Sequence, residues 1–154
     1  SFSLVTSAAL ADGRLSAARE IVVDRPPATV WKLLGEFNAL DVWLPPVQAS
    51  MFSGDATKPG AIRVLDLGNR ATVTEELIAY SGAERSYSYK FLESPLPVKN
   101  YVATLQVREA AGGKSLIHWR STFDAAGAPD EKAREAILGI YDVGLKKAAE
   151  IFGR

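Results

Sequence analysis

The sequence predicts an α+β fold: a curved antiparallel β-sheet of about seven strands wrapped around one long C-terminal helix, with two short helices after strand one. Three observations lead there. Helical periodicity occurs in only two places, just after the first extended run and from Pro129 to the end of the chain. Between them, six extended runs follow one another, separated by turn residues. Such a meander must bury one face, and the closing helix is the only element long enough to cover it.

The first strand is "AREIVVD", a β-branched run ending at Asp24. In "DRPPATVWKLLGEF" the prolines fall at the first helical positions, where the amides have no intrahelical partner. Val30, Trp31, Leu34 and Phe37 then recur at helical spacing, with Trp31 read as core. "NALDVWLPP" adds a second short helix that Pro45 and Pro46 end. The extended runs are "VQASMFSG", "AIRVLDLG", "ATVTEELIAY", "RSYSYKFLE", "YVATLQVRE" and "SLIHWRSTF". In the closing helix, Asp130 and Glu131 occupy the first turn, the end that favours negative charge. Ala133, Ile137, Ile140, Tyr141, Gly144, Ala148 and Ile151 form its apolar stripe. Gly139 and Gly144 interrupt it, either for close packing on the sheet or to leave volume below Tyr141.

Composition excludes several chemistries. The chain has 154 residues, enough for one domain with a sizeable core. Lys+Arg and Asp+Glu both number 18, and no basic run stands out, so nucleic acid and anionic membrane surfaces are not expected partners. No stretch reaches the length of a membrane span. Cysteine is absent and His118 is the only histidine, so no metal site or cofactor is expected, and thiolate and multi-histidine chemistry are excluded.

The pieces "PPATVWKLLGEFNALDVWLPPV", "GAIRVLDL", "VTEELIAY", "YSYKFLESPLPVKNYVATLQV", "IHWRSTF" and "ILGIYDVGLKKAAEIF" together resemble the START/Bet v 1-like helix-grip superfamily (SRPBCC). Within it they are most similar to the bacterial polyketide cyclase/dehydrase and lipid-transport branch. The likeness covers roughly residues 17–152. It implies a deep cavity between sheet and long helix that holds an apolar or amphipathic small molecule. It implies no particular reaction, because members include carriers, sensors and cyclases. Residues 17–154 then form one helix-grip domain, and residues 1–16 an N-terminal arm. Ala9-Leu10-Ala11 has the small-residue pattern of a signal-peptidase site, but no basic segment precedes it. A cytoplasmic location is expected, or a periplasmic one if residues 1–11 are a leader remnant. The oligomeric state is not legible.

Strand alternation selects the cavity wall. Ile117, Trp119 and Phe123 share the apolar face of their strand, so His118 points outward. Tyr87, Tyr89 and Phe91 alternate with polar residues and face inward, as does Leu105. Val73 and Leu77 carry Glu75 inward with them, while Leu65 and Leu67 carry Arg63. A three-residue loop of Gly68, Asn69 and Arg70 places Arg63 opposite Glu75, within reach of an ion pair. That pair is either structural or catalytic, with Glu75 as acid/base and Arg63 as oxyanion partner. Trp43 is expected at the cavity mouth. Tyr141 is expected over the cavity, on the closing helix. In "ESPLPVKN", Pro95 and Pro97 stiffen a long connection and set Leu96 over the rim. The expected function is carriage or sensing of a hydrophobic small molecule. The alternative is a polyketide cyclase or dehydratase using the Glu75–Arg63 pair, and a third reading is an accessory protein with a collapsed cavity.

Overall fold

A computed structural model describes residues 13–154. In chain order the elements are β1 (Leu15–Val23), α1 (Pro27–Leu34), α2 (Leu40–Trp43), β2 (Ala49–Ser53), β3 (Ile62–Asp66), β4 (Thr72–Ser81), β5 (Ser86–Glu93), β6 (Val98–Ala110), β7 (Lys114–Ala125) and α3 (Asp130–Phe152). The fold class is the expected one. All strand pairs are antiparallel, in the order β1-β7-β6-β5-β4-β3-β2. The sheet therefore stays open, with β1 and β2 at its edges. Helices α1 and α2 carry the chain from one edge to the other.

Strand β1 begins at Leu15, so the sheet takes in the last two residues of the expected arm. Alternation explains this: Leu15 and Ala17 are buried, and Leu15 pairs with Phe123. The candidate cleavage site at Ala9-Leu10-Ala11 lies outside the described residues.

One stripe of α3 covers the concave face. Its buried residues are Ala133, Ile137, Tyr141, Gly144, Leu145, Ala148 and Phe152. The stripe is rotated from the expected one, since Leu145 and Phe152 are inside while Ile140 is half-buried and Ile151 is exposed. Trp31 is also not plain core: it is half-buried, tilted against Tyr80 and Tyr87. His118 is half-buried on the outward face, where Arg120 Nη1 lies 3.1 Å from its Nδ1. Burial first, and the Arg120 charge second, hold its pKa below the usual histidine range.

The two helix glycines have different roles. A Cβ at Gly139 would meet nothing within 4 Å. At Gly144 it would stand 2.9 Å from Trp119 Cζ3, 3.0 Å from Leu44 Cδ1 and 3.2 Å from Trp43 Cζ3. Gly144 is therefore a close-packing glycine, and the space above it is filled by two indoles. Gly139→Ala should raise unfolding free energy by about 0.5–1 kcal/mol through helix propensity. Gly144→Ala should lower it by about 1–3 kcal/mol through overpacking. Urea denaturation of the two variants checks both signs.

Candidate functional site

A cavity of about 210 Å³ lies between α3, α2 and the middle of the sheet. Strands β3 and β4 give it Leu65, Val73 and Glu75, with Leu67 at the strand end. Strands β5 and β6 add Tyr89, Phe91 and Tyr101, and β7 adds Trp119. Leu40, Leu44, Pro46 and Val47 close it from α2 and the turn after it, with Ile140 above and Leu96 from the β5–β6 connection. The wall is almost entirely carbon.

Several residues expected on this wall stand behind it. Trp43 is buried and tilted against Trp119, with ring centroids 5.3 Å apart, so it packs in the core and not at the mouth. Its indole Nε1 has no partner. Leu77, Tyr87 and Leu105 are buried but do not line the cavity. Alternation sends them to the correct face, but at levels of the sheet that the cavity does not reach. Tyr141 lies flat on Trp119, at 4.3 Å and 20°, and this stack separates it from the space. Arg63 likewise does not touch the cavity.

The register is Arg63 opposite Glu75 and Leu65 opposite Val73. The β3–β4 turn achieves it with positive φ at Gly68, Asn69 and Arg70. Arg63 Nε donates to Glu75 Oε1 at 2.7 Å, and its Nη1 donates to the Phe37 carbonyl at 2.7 Å and to Tyr87 Oη at 3.3 Å. The guanidinium carbon lies 4.0 Å from the Phe37 ring centroid and 4.8 Å from that of Tyr89. An aromatic cage thus encloses a fully buried cation. Burial works against the charge on Arg63, but Tyr87 and Glu75 outweigh it and the group holds its proton more tightly than usual. Burial raises the Glu75 carboxyl above its ordinary range, and Arg63 only partly opposes that.

Glu75 stands between this cation and the cavity. A β-bulge at Leu92, the extra residue between the Thr74–Glu93 and Glu75–Phe91 pairs, turns the strand here. Leu92 is consequently exposed while Phe91 faces the cavity. A second bulge between Lys99 and Val102 contains Asn100, with φ of 56°. Tyr101 follows it and stacks on Phe91 at 3.9 Å. Tyr101 is a wall residue beyond those expected, although it shares the parity of Leu105, and the Phe37 carbonyl has no sequence signal.

A run of polar tips crosses the cavity wall. Trp119 Nε1 donates to Tyr89 Oη at 3.0 Å, Tyr89 Oη is 3.5 Å from Tyr101 Oη, and Tyr101 Oη meets Tyr141 Oη at 2.5 Å. Burial keeps all three phenols neutral by raising their pKa values. Among the described residues, no group of three or more His, Asp or Glu side chains is placed to hold a metal, and no helix is long and apolar enough to cross a membrane.

Comparison with known proteins adds a family. The model described as polyketide cyclase/dehydrase and lipid transport matches residues 14–153. Among solved structures, XoxI from Bacillus cereus is 33% identical over 89% of this chain and 94% of its own, with a TM-score of 0.83. An uncharacterised protein from Bacillus thuringiensis is 32% identical over 90% and 98%, also with a TM-score of 0.83. A Thermobifida fusca protein is 32% identical over 90% and 93%, with a TM-score of 0.79. No curated protein matches.

Proposed function

The chain belongs to the polyketide cyclase/dehydrase and lipid transport family, and from that premise we propose that it binds a hydrophobic small molecule in the cavity as a carrier or sensor. The observation that carries this reading is a partly open cavity of about 210 Å³ with an almost wholly carbon wall and one carboxylate. An apolar cavity of about 150 Å³ stays dry and accepts benzene, whereas drug-sized pockets run from about 300 Å³ upward. The fit is therefore to a molecule of one or two rings. A long acyl chain would exceed this volume and extend past the rim. Thermal-shift screening of wild-type protein against ring compounds and fatty acids tests the reading. Ring compounds should raise the melting temperature, and no shift across the whole set would contradict it.

Leu96 supports the same reading. It is half-buried and lines the cavity from a connection anchored at both ends. Its amide donates to Ser94 Oγ at 3.1 Å, and the neighbouring Pro97 carbonyl accepts from the Ala126 amide at 3.0 Å. Leu96→Ser should weaken toluene binding about tenfold with less than about 1 kcal/mol lost from stability, as read by calorimetry and denaturation.

A second reading, a cyclase or dehydratase, is favoured by Glu75, a carboxyl with a raised pKa facing an apolar space. In this reading Arg63 acts by positioning Glu75, since its guanidinium is covered and cannot reach a bound oxyanion. Glu75→Gln should then abolish turnover while leaving toluene binding intact.

A further inference from the structure

We infer that the ligand is a neutral ring compound carrying one hydroxyl, of the 4-methylphenol type, with its ring in the apolar part of the cavity and its hydroxyl between Glu75 and Tyr89. This rests on the proposed binding function and names the ligand class for that same site. The argument is a count of donors and acceptors in a wall that otherwise offers carbon.

Glu75 has two carboxylate oxygens. Oε1 is taken by Arg63 Nε at 2.7 Å. Oε2 accepts no hydrogen bond among the described residues, yet Glu75 lines the cavity. It is a spare acceptor in a place where an unmet acceptor is costly. Tyr89 presents the complement. Its Oη accepts from Trp119 Nε1 at 3.0 Å, so its own proton needs an acceptor. The nearest oxygen, Tyr101 Oη, is 3.5 Å away, at the limit of a hydrogen bond. Tyr101 Oη can still accept there while it bonds Tyr141, but the bond is long, so Tyr89 is an underused donor on the same space, and a closer acceptor in the cavity would take its proton. Leu77 pairs with Tyr89 and Glu75 with Phe91, so Glu75 and Tyr89 are diagonal neighbours on one face of adjacent strands.

One group that both donates and accepts satisfies the two together: a hydroxyl giving its proton to Glu75 Oε2 and receiving one from Tyr89 Oη. A carboxylate ligand would set a second negative charge beside Glu75. An ammonium would bring a second cation to a carboxylate that Arg63 already neutralises, and would offer the Tyr89 proton no closer acceptor than Tyr101. A plain hydrocarbon would leave Glu75 Oε2 unmet and Tyr89 with only its long bond to Tyr101. Sites built to hydrogen-bond a hydroxyl discriminate strongly against the analogue that lacks it.

The test is calorimetric titration of wild-type protein with toluene, 4-methylphenol, 4-methylbenzoate and 4-methylbenzylamine, repeated with Tyr89→Phe and Glu75→Gln. The expected result is that 4-methylphenol binds at least tenfold tighter than toluene and tighter than both ions. Its advantage over toluene should fall at least fivefold in each variant that folds. Toluene binding as tightly as the phenol, or either ion binding best, overturns the inference while leaving the apolar cavity reading in place. Failure of all four to bind overturns both. The wild-type series decides by itself if either variant does not fold.

Discussion

Arg63→Met should lower the unfolding free energy by about 3–5 kcal/mol, the cost of stranding a buried carboxylate without its partner. For a domain of this size that corresponds to a fall of roughly 10 °C in melting temperature. The Phe37 carbonyl loses its donor in the same step. The loss should depend on pH. With Arg63 gone, nothing opposes the burial that raises Glu75 above its ordinary value of 4.5. A carboxyl whose folded pKa is raised favours the native state while it is protonated, and withdraws that support as pH rises through the raised value. The gap between variant and wild type should therefore be largest at neutral pH and narrow toward pH 4.5. Adding Glu75→Leu should recover most of the stability, because an apolar pair of similar volume replaces a buried ion pair at little cost. A loss under 1 kcal/mol, or one that does not change with pH, would mean that Glu75 is solvated and not held by Arg63.

Trp119→Ala should cost a similar amount, about 3–5 kcal/mol, and should also change what the protein binds. Trp119 sits between Tyr141 and Trp43 and lines the cavity. Removing its indole merges that volume with the existing space and deprives Tyr89 of its donor. Naphthalene should gain affinity relative to toluene, measured by calorimetry on both proteins. An unchanged ratio would place the ligand elsewhere.

Much of this geometry was legible in the sequence because it depends on chain-local rules. A three-residue loop fixes which residues of β3 and β4 face each other, so Arg63 opposite Glu75 follows from Gly68, Asn69 and Arg70. Period-two alternation assigns Leu65, Val73, Tyr89, Phe91 and Trp119 to the concave face. Alternation specifies a face, however, and not a depth. It could not tell that Arg63 lies behind Glu75, or that Leu77, Tyr87 and Leu105 stand beyond the reach of the cavity. Those outcomes depend on how α1, α2 and α3 approach the sheet, which is set by contacts distant in sequence. Trp43 shows the point: its place against Trp119 requires the bare backbone at Gly144, about a hundred residues further along the chain. The bulges at Leu92 and Asn100 are equally silent, since neither carries a glycine to mark it.

The most direct test of the central claim is methyl NMR of the wild-type protein titrated with toluene. Occupation of the cavity predicts saturable shifts at the methyls of Leu65, Leu67, Val73 and Leu96, with those of surface Val22 and Met51 unmoved. No saturable shift at the four cavity residues, or shifts confined to surface methyls, would contradict it.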